Sequence, residues 1–193
     1  MALAKYNFFR SSESGFSLVE TLIASAILAT ALVSLAELFG IAAKANATAK
    51  EGGMTMILAE QKIEQLRGLS WGFDAAGLPL SDAATDTAKV PEAATGGKGL
   101  SPSPNNTIQT NTDGYVDYLD SSGRSLGGGT VVPMNTAYIH RWSVEPLPTN
   151  PNNTLILQVL VTRRSNRGVA DAGSVTRLPD EARLITVKTR KTQ

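Results

Sequence analysis

The chain has no cysteine and only one histidine. Without thiolates there is no disulfide, no cysteine-ligated zinc or iron–sulfur site and no thiol nucleophile. His140, with no cysteine or second histidine to share a metal, reads as a packed or half-exposed structural residue, and no serine–histidine–acid grouping can be built around it. Metal: none, and cofactors: none, are therefore expected, and the chain reads as something other than an enzyme. Aromatic residues make up only 6% and charged residues 18% of the 193 positions, so the packed core should be small and rich in loops. The formal net charge of +1 gives no global attraction to nucleic acid. The apolar fraction is 42%, but much of it lies between positions 16 and 43.

What is present is concentrated at the N-terminus. A short polar stretch containing Lys5, Arg10 and Glu13 ends at Gly15. Phe16 opens an apolar run in which Glu20 is the only charge until Glu37, and no proline interrupts it. About 20 helical residues cross a bilayer core, so the run is long enough. Three readings compete. A secretory signal has a shorter apolar core than this. A plain single-span anchor leaves Glu20 unexplained, since a carboxylate in a bilayer costs roughly 2.5–3.5 kcal/mol on insertion scales. A third reading uses that carboxylate.

Gly15-Phe16-Ser17-Leu18-Val19-Glu20 resembles the class III signal of type IV pilins and type II secretion pseudopilins. The resemblance implies cleavage by prepilin peptidase between Gly15 and Phe16, then N-methylation of Phe16. It implies that Glu20 is the assembly carboxylate, paired with a neighbouring subunit's N-terminal amine. A snorkelling glutamate and a pair within one chain remain the alternatives. Burial punishes an unpaired charge and favours a paired one, so such a carboxylate can set register. Lys5 and Arg10 before the run balance Lys44 and Lys50 after it, so charge does not fix topology. The single-pass inner-membrane topology, with the C-terminal domain in the periplasm, is implied by the resemblance alone.

The expected organisation is a leader over 1–15, a transmembrane and assembly helix over 16–43, an amphipathic helix half over 44–70 and a globular domain over 71–193. In the second helix part, Met56, Ala59, Ile63 and Leu66 form an apolar stripe. Glu64 and Arg67 are spaced to pair. Gly52-Gly53 costs about 1 kcal/mol per glycine and suggests a kink or melted turn. Residues 71–135 read as loop, from clusters such as Gly96-Gly97-Lys98-Gly99 and Ser101-Pro102-Ser103-Pro104. A weaker strand pair flanks Asp120-Ser121-Ser122-Gly123. Strands are expected at 137–145, 155–162 and 182–189, within a sheet covering 137–190. The fold class is α+β: a long N-terminal helix packed on a small antiparallel sheet.

Other signals are weak. The Gly96–Gly99 cluster lacks the spacing of a phosphate-binding loop. Asp113, Asp117 and Asp120 do not match a calcium loop and read as solvated turn residues. The C-terminal third is basic, with Arg163, Arg164, Arg167, Arg177, Arg183, Lys188, Arg190 and Lys191. Because some minor pilins take part in DNA uptake, DNA is a conceivable partner. The resemblance points to a minor pilin or pseudopilin acting in priming or tip assembly, most like minor pilins of the V type. Its partners would be other pilin-like subunits, prepilin peptidase, an inner-membrane assembly platform and, before assembly, membrane lipid. The competing expectation is a membrane-anchored periplasmic binding module.

Overall fold

The computed structural model describes residues 15–164 and 181–190. One helix, α1 (Leu18–Gly68), precedes seven strands: β1 (Trp71–Phe73), β2 (Pro79–Ser81), β3 (Val116–Leu119), β4 (Ser125–Gly128), β5 (Tyr138–Pro146), β6 (Thr154–Arg163) and β7 (Ala182–Thr189). The fold is α+β, a long N-terminal helix followed by antiparallel sheets. Its contacts divide into two units, one ending at Asn46 and the other starting at Ala47.

In the first unit the helix is exposed along its described length, including Leu22, Ile27, Val33 and Phe39. The hydroxyls of Thr21, Ser25, Thr30 and Ser34 each donate to a carbonyl three or four residues back. Polar side chains so satisfied place few demands on their surroundings, which suits a helix in lipid or against other helices.

In the second unit, α1 buries Thr55, Leu58, Ala59, Lys62, Ile63 and Leu66. The buried stripe is therefore rotated from the expected one: Ala59, Ile63 and Leu66 are on it, but Met56 is 40% exposed. Thr55 and Lys62 take places where an apolar pattern would not put them. The helix runs unbroken through Gly52-Gly53, so the expected melted turn is not found. The expected Glu64–Arg67 pair is present at 2.7 Å on the exposed face.

The main sheet has the order β4-β3-β5-β6-β7 and is antiparallel throughout. Its core face supplies Tyr138, Trp142, Val144, Leu155, Leu157, Val159 and Val161, which meet Leu58, Ile63 and Leu66 of the helix. Burying each such side chain stabilises the fold by roughly 1.5–3 kcal/mol. Glu51 pairs with Arg163 at one end of β6. Lys188 Nζ donates to the Arg67 carbonyl toward the other end. The helix thus runs alongside the strands, opposite in direction to β6.

Residues 71–135 are more structured than their composition suggests. β1 and β2 form a separate hairpin. Its turn is fixed by the Asp74 carboxylate, which accepts the N–H groups of Ala76 and Leu78, and by Gly77 at φ 76°. Ala88, Leu100 and Tyr115 enter the core. The Tyr115 hydroxyl donates to the carbonyls of Ser101 and Pro102, both at 3.0 Å. At Gly97 a Cβ would lie 2.3 Å from Asp86 Cα, so two loop segments approach more closely there than any side chain permits.

Candidate functional site

The N-terminal signal begins with a defined helix start. Gly15, Phe16 and Ser17 precede the helix, which starts at Leu18. Ser17 Oγ accepts the backbone N–H of Glu20 at 3.2 Å, which is an N-cap. Ser17 and Glu20 have the spacing of a capping box, a signal the sequence reading passed over. Among the described residues nothing lies within 4 Å of a Cβ placed on Gly15, and Phe16 is 81% exposed. The expected scissile bond therefore lies in non-helical, accessible chain, with only Phe16 between it and the cap. Glu20 lies in the first turn of α1, four residues after Phe16. Phe16 and Glu20 are thus at one end of the helix, close enough for an amine and a carboxylate to meet within a chain or between chains.

A second polar cluster lies between helix and sheet. Lys62 Nζ donates to Asp117 Oδ2 at 2.7 Å and to the Thr87 carbonyl at 2.6 Å. It also sits 3.8 Å from the centre of the Trp142 ring, within cation–π range. His140 Nδ1 is 2.9 Å from Asp117 Oδ1 but is not aligned as a hydrogen bond. All three residues are buried. Burial pushes the Asp117 carboxyl up, but the Lys62 ammonium with its hydrogen bond and the adjacent His140 more than reverse this, so its pKa falls below the ordinary value. Burial likewise opposes the charge on Lys62. Asp117 is thus ionised in the core, which corrects its reading as a solvated turn residue. It belongs to β3, where alternation turns it onto the helix. Asp120 does occupy a turn, accepting the N–H groups of Ser122 and Arg124. Among the described residues, no three histidine, cysteine or acidic side chains gather as metal ligands. His140 is packed, 4% exposed.

The basic residues of the last third are largely engaged within the fold. Arg163 pairs with Glu51, Arg164 donates to the Pro133 carbonyl and Arg183 to Gln158. Arg190 donates to the carbonyls of Asn152, Gly72 and Leu80 and to Ser81 Oγ, with its guanidinium 3.6 Å from the Trp71 ring centre. Arg167, Arg177 and Lys191 lie outside the described residues.

Residues 10–36 match the family described as the prokaryotic N-terminal methylation motif. No curated protein and no solved structure matches the chain. The matched segment contains Gly15, Phe16, Glu20 and most of the apolar run. It is a type IV pilin-like class III signal, of the kind that makes a chain a substrate of prepilin peptidase and directs its assembly with other pilins. α1 is also the one described helix long and apolar enough to cross a membrane, consistent with inner-membrane anchoring.

Proposed function

We propose that the chain is a minor pilin or pseudopilin subunit of a type IV pilus or type II secretion filament, acting in priming or tip assembly. It is a substrate and building block, not an enzyme. In this reading, prepilin peptidase cuts between Gly15 and Phe16, and Phe16 is N-methylated. The subunit waits in the inner membrane as a single-pass protein with a periplasmic domain, and an assembly platform then moves it into the filament. Glu20 pairs with the N-terminal amine of a neighbouring subunit.

One observation carries the reading: the methylation signal opens a helix whose apolar surface is exposed over its described first 29 residues, from Leu18 to Asn46. Apolar surface of that extent needs lipid or other helices around it. Glu20 is the feature that separates a filament subunit from a plain anchor. The DNA-contacting alternative draws less support, because Arg163, Arg164, Arg183 and Arg190 are used inside the fold.

Intact-mass spectrometry of the protein expressed with its peptidase tests this. The expected mature chain begins at N-methylated Phe16. A chain that keeps Met1, or that begins near residue 48, rejects the filament reading.

A further inference from the structure

The sheet ends on β7, and among the described residues no strand pairs with its outer edge. The Arg190 N–H donates to the Asn153 carbonyl at 2.8 Å, in register with the β6–β7 ladder. In an antiparallel pair, alternate residues turn their backbone groups to the same side. Ala182, Leu184, Thr186 and Lys188 therefore face β6, whereas Arg183, Ile185, Val187 and Thr189 turn their N–H and C=O groups outward. No backbone hydrogen bond from the described residues reaches those four. Their side chains lie on the sheet face away from the helix, with Ile185 60% and Val187 57% exposed.

Exposed edges are usually blunted by proline, a bulge, an outward charge or a cover. β7 has no proline, and its pairing with β6 runs without a register shift. Its charges are turned onto its own fold, Arg183 to Gln158 and Lys188 to the Arg67 carbonyl. The β1–β2 hairpin approaches the C-terminal end of β7, where Arg190 and Asn153 hold it, but forms no backbone pairing with β7.

We propose that this edge is a self-association surface, which a second copy of the chain occupies by antiparallel β7–β7 pairing about Thr186. The strand is self-complementary in that register. Ile185 falls opposite Val187 of the second copy and Val187 opposite its Ile185, and both are residues with outward backbone groups, as a hydrogen-bonded pair requires. Arg183 meets Thr189 and Leu184 meets Lys188, so no like charges face each other. On the same face Ile156 lies beside Val187 within each chain, which extends the apolar ladder across the junction. A shift of one residue would oppose outward and inward backbone groups and lose the ladder.

The pairing has a polarity. Its two-fold axis stands perpendicular to the sheet, and the helix from Ala47 to Gly68 runs along the strands. The two helices therefore leave the pair in opposite directions. Such a contact sets the helix parts over 47–68 of the two copies antiparallel to each other. This goes beyond filament assembly through the apolar helix and does not depend on it.

The absence of cysteine allows a direct test with the full chain in detergent, where two copies share no imposed orientation. Thr186 meets itself at a non-hydrogen-bonded position, where Cα atoms lie about 4.5 Å apart, within disulfide range. Thr186→Cys should form a disulfide-linked dimer on mild oxidation. Arg183→Cys should not, because that position meets residue 189. Adding Val187→Lys to Thr186→Cys should abolish the dimer while leaving the denaturant midpoint of the chain unchanged. A dimer at 186 alone, lost with Val187→Lys, supports the proposal. No dimer at 186 in chains with the parent's denaturant midpoint, or equal dimer at 183 and 186, overturns it.

Discussion

Replacing Lys62 by Met should destabilise the second unit far more than the loss of one surface-type contact. In the parent, the ammonium donates to Asp117 Oδ2 at 2.7 Å and to the Thr87 carbonyl at 2.6 Å, and lies against Trp142. Met fills much of the same volume, so the cavity contribution is small. What it leaves behind is a carboxylate 5% exposed with no cation at its Oδ2, and a carbonyl without its donor. Breaking one side of a buried pair typically costs about 3–5 kcal/mol, because the surviving charge stays buried. Lys62→Met combined with Asp117→Leu should recover most of that loss, since replacing both members of a buried pair by apolar groups is often neutral or stabilising. Denaturant unfolding of the full chain in detergent, followed by the fluorescence of its two tryptophans, Trp71 and the buried Trp142, measures both. A single substitution that costs less than about 1 kcal/mol, or a double one that costs as much as the sum of its parts, refutes the reasoning: the charge would then not be confined by the fold.

Asp117→Asn should flatten the acid limb of stability. A carboxyl whose pKa is lowered in the fold contributes stability that is present above its unfolded value, about 3.9, and is lost as pH falls through the folded value. The parent should therefore lose stability below pH about 4 by a steeper slope than the variant, which a denaturation series across pH will show. Arg190→Lys should loosen the β1–β2 hairpin by about 1–3 kcal/mol, because lysine supplies neither the planar fork nor the stacking on Trp71. Amide exchange at Gly72 and Leu80 reads this locally, and unchanged exchange argues against it. Glu20→Ala should leave cleavage after Gly15 intact and reduce incorporation into filaments, assayed in sheared surface fractions. Full incorporation would remove the assembly role from Glu20.

The strands after position 137 were legible because their side chains alternate or run apolar over eight or more residues, and the intervening 146–153 segment carries three prolines. The β1–β2 hairpin was not, because three-residue strands are too short for a period to show. Its order comes from Arg190, more than a hundred residues away in sequence. The helix stripe was misplaced by one position for a related reason. Met56 fits an apolar template, whereas Lys62 looks like a residue for the solvent. Only knowledge that Asp117 and His140 would line the opposing strands could reverse that, and such pairings are tertiary. Helix geometry alone likewise does not show that Gly52-Gly53 stays helical. Neighbouring Thr55, whose hydroxyl returns to the carbonyls of Glu51 and Gly52, is fully buried, so packing one turn on restrains the segment.

The two polar features of α1 follow opposite logic. Glu20 could be singled out from the sequence because a lone carboxylate among apolar residues is costly wherever it sits, and cost marks function. Lys62 escaped notice because a charge in an ordinary amphipathic stretch carries no visible cost. Yet in this structure Glu20 is exposed and Lys62 is the charge that the fold itself neutralises. The cap at Ser17 joins the two observations. With the Glu20 N–H already taken by the serine hydroxyl, the first turn of the helix is fixed without using the carboxylate, which stays available for a charge from outside the chain. The fold thus completes the charge of Lys62 with its own sheet, whereas it leaves Glu20 exposed, as the proposed pairing with a neighbouring subunit's amine requires.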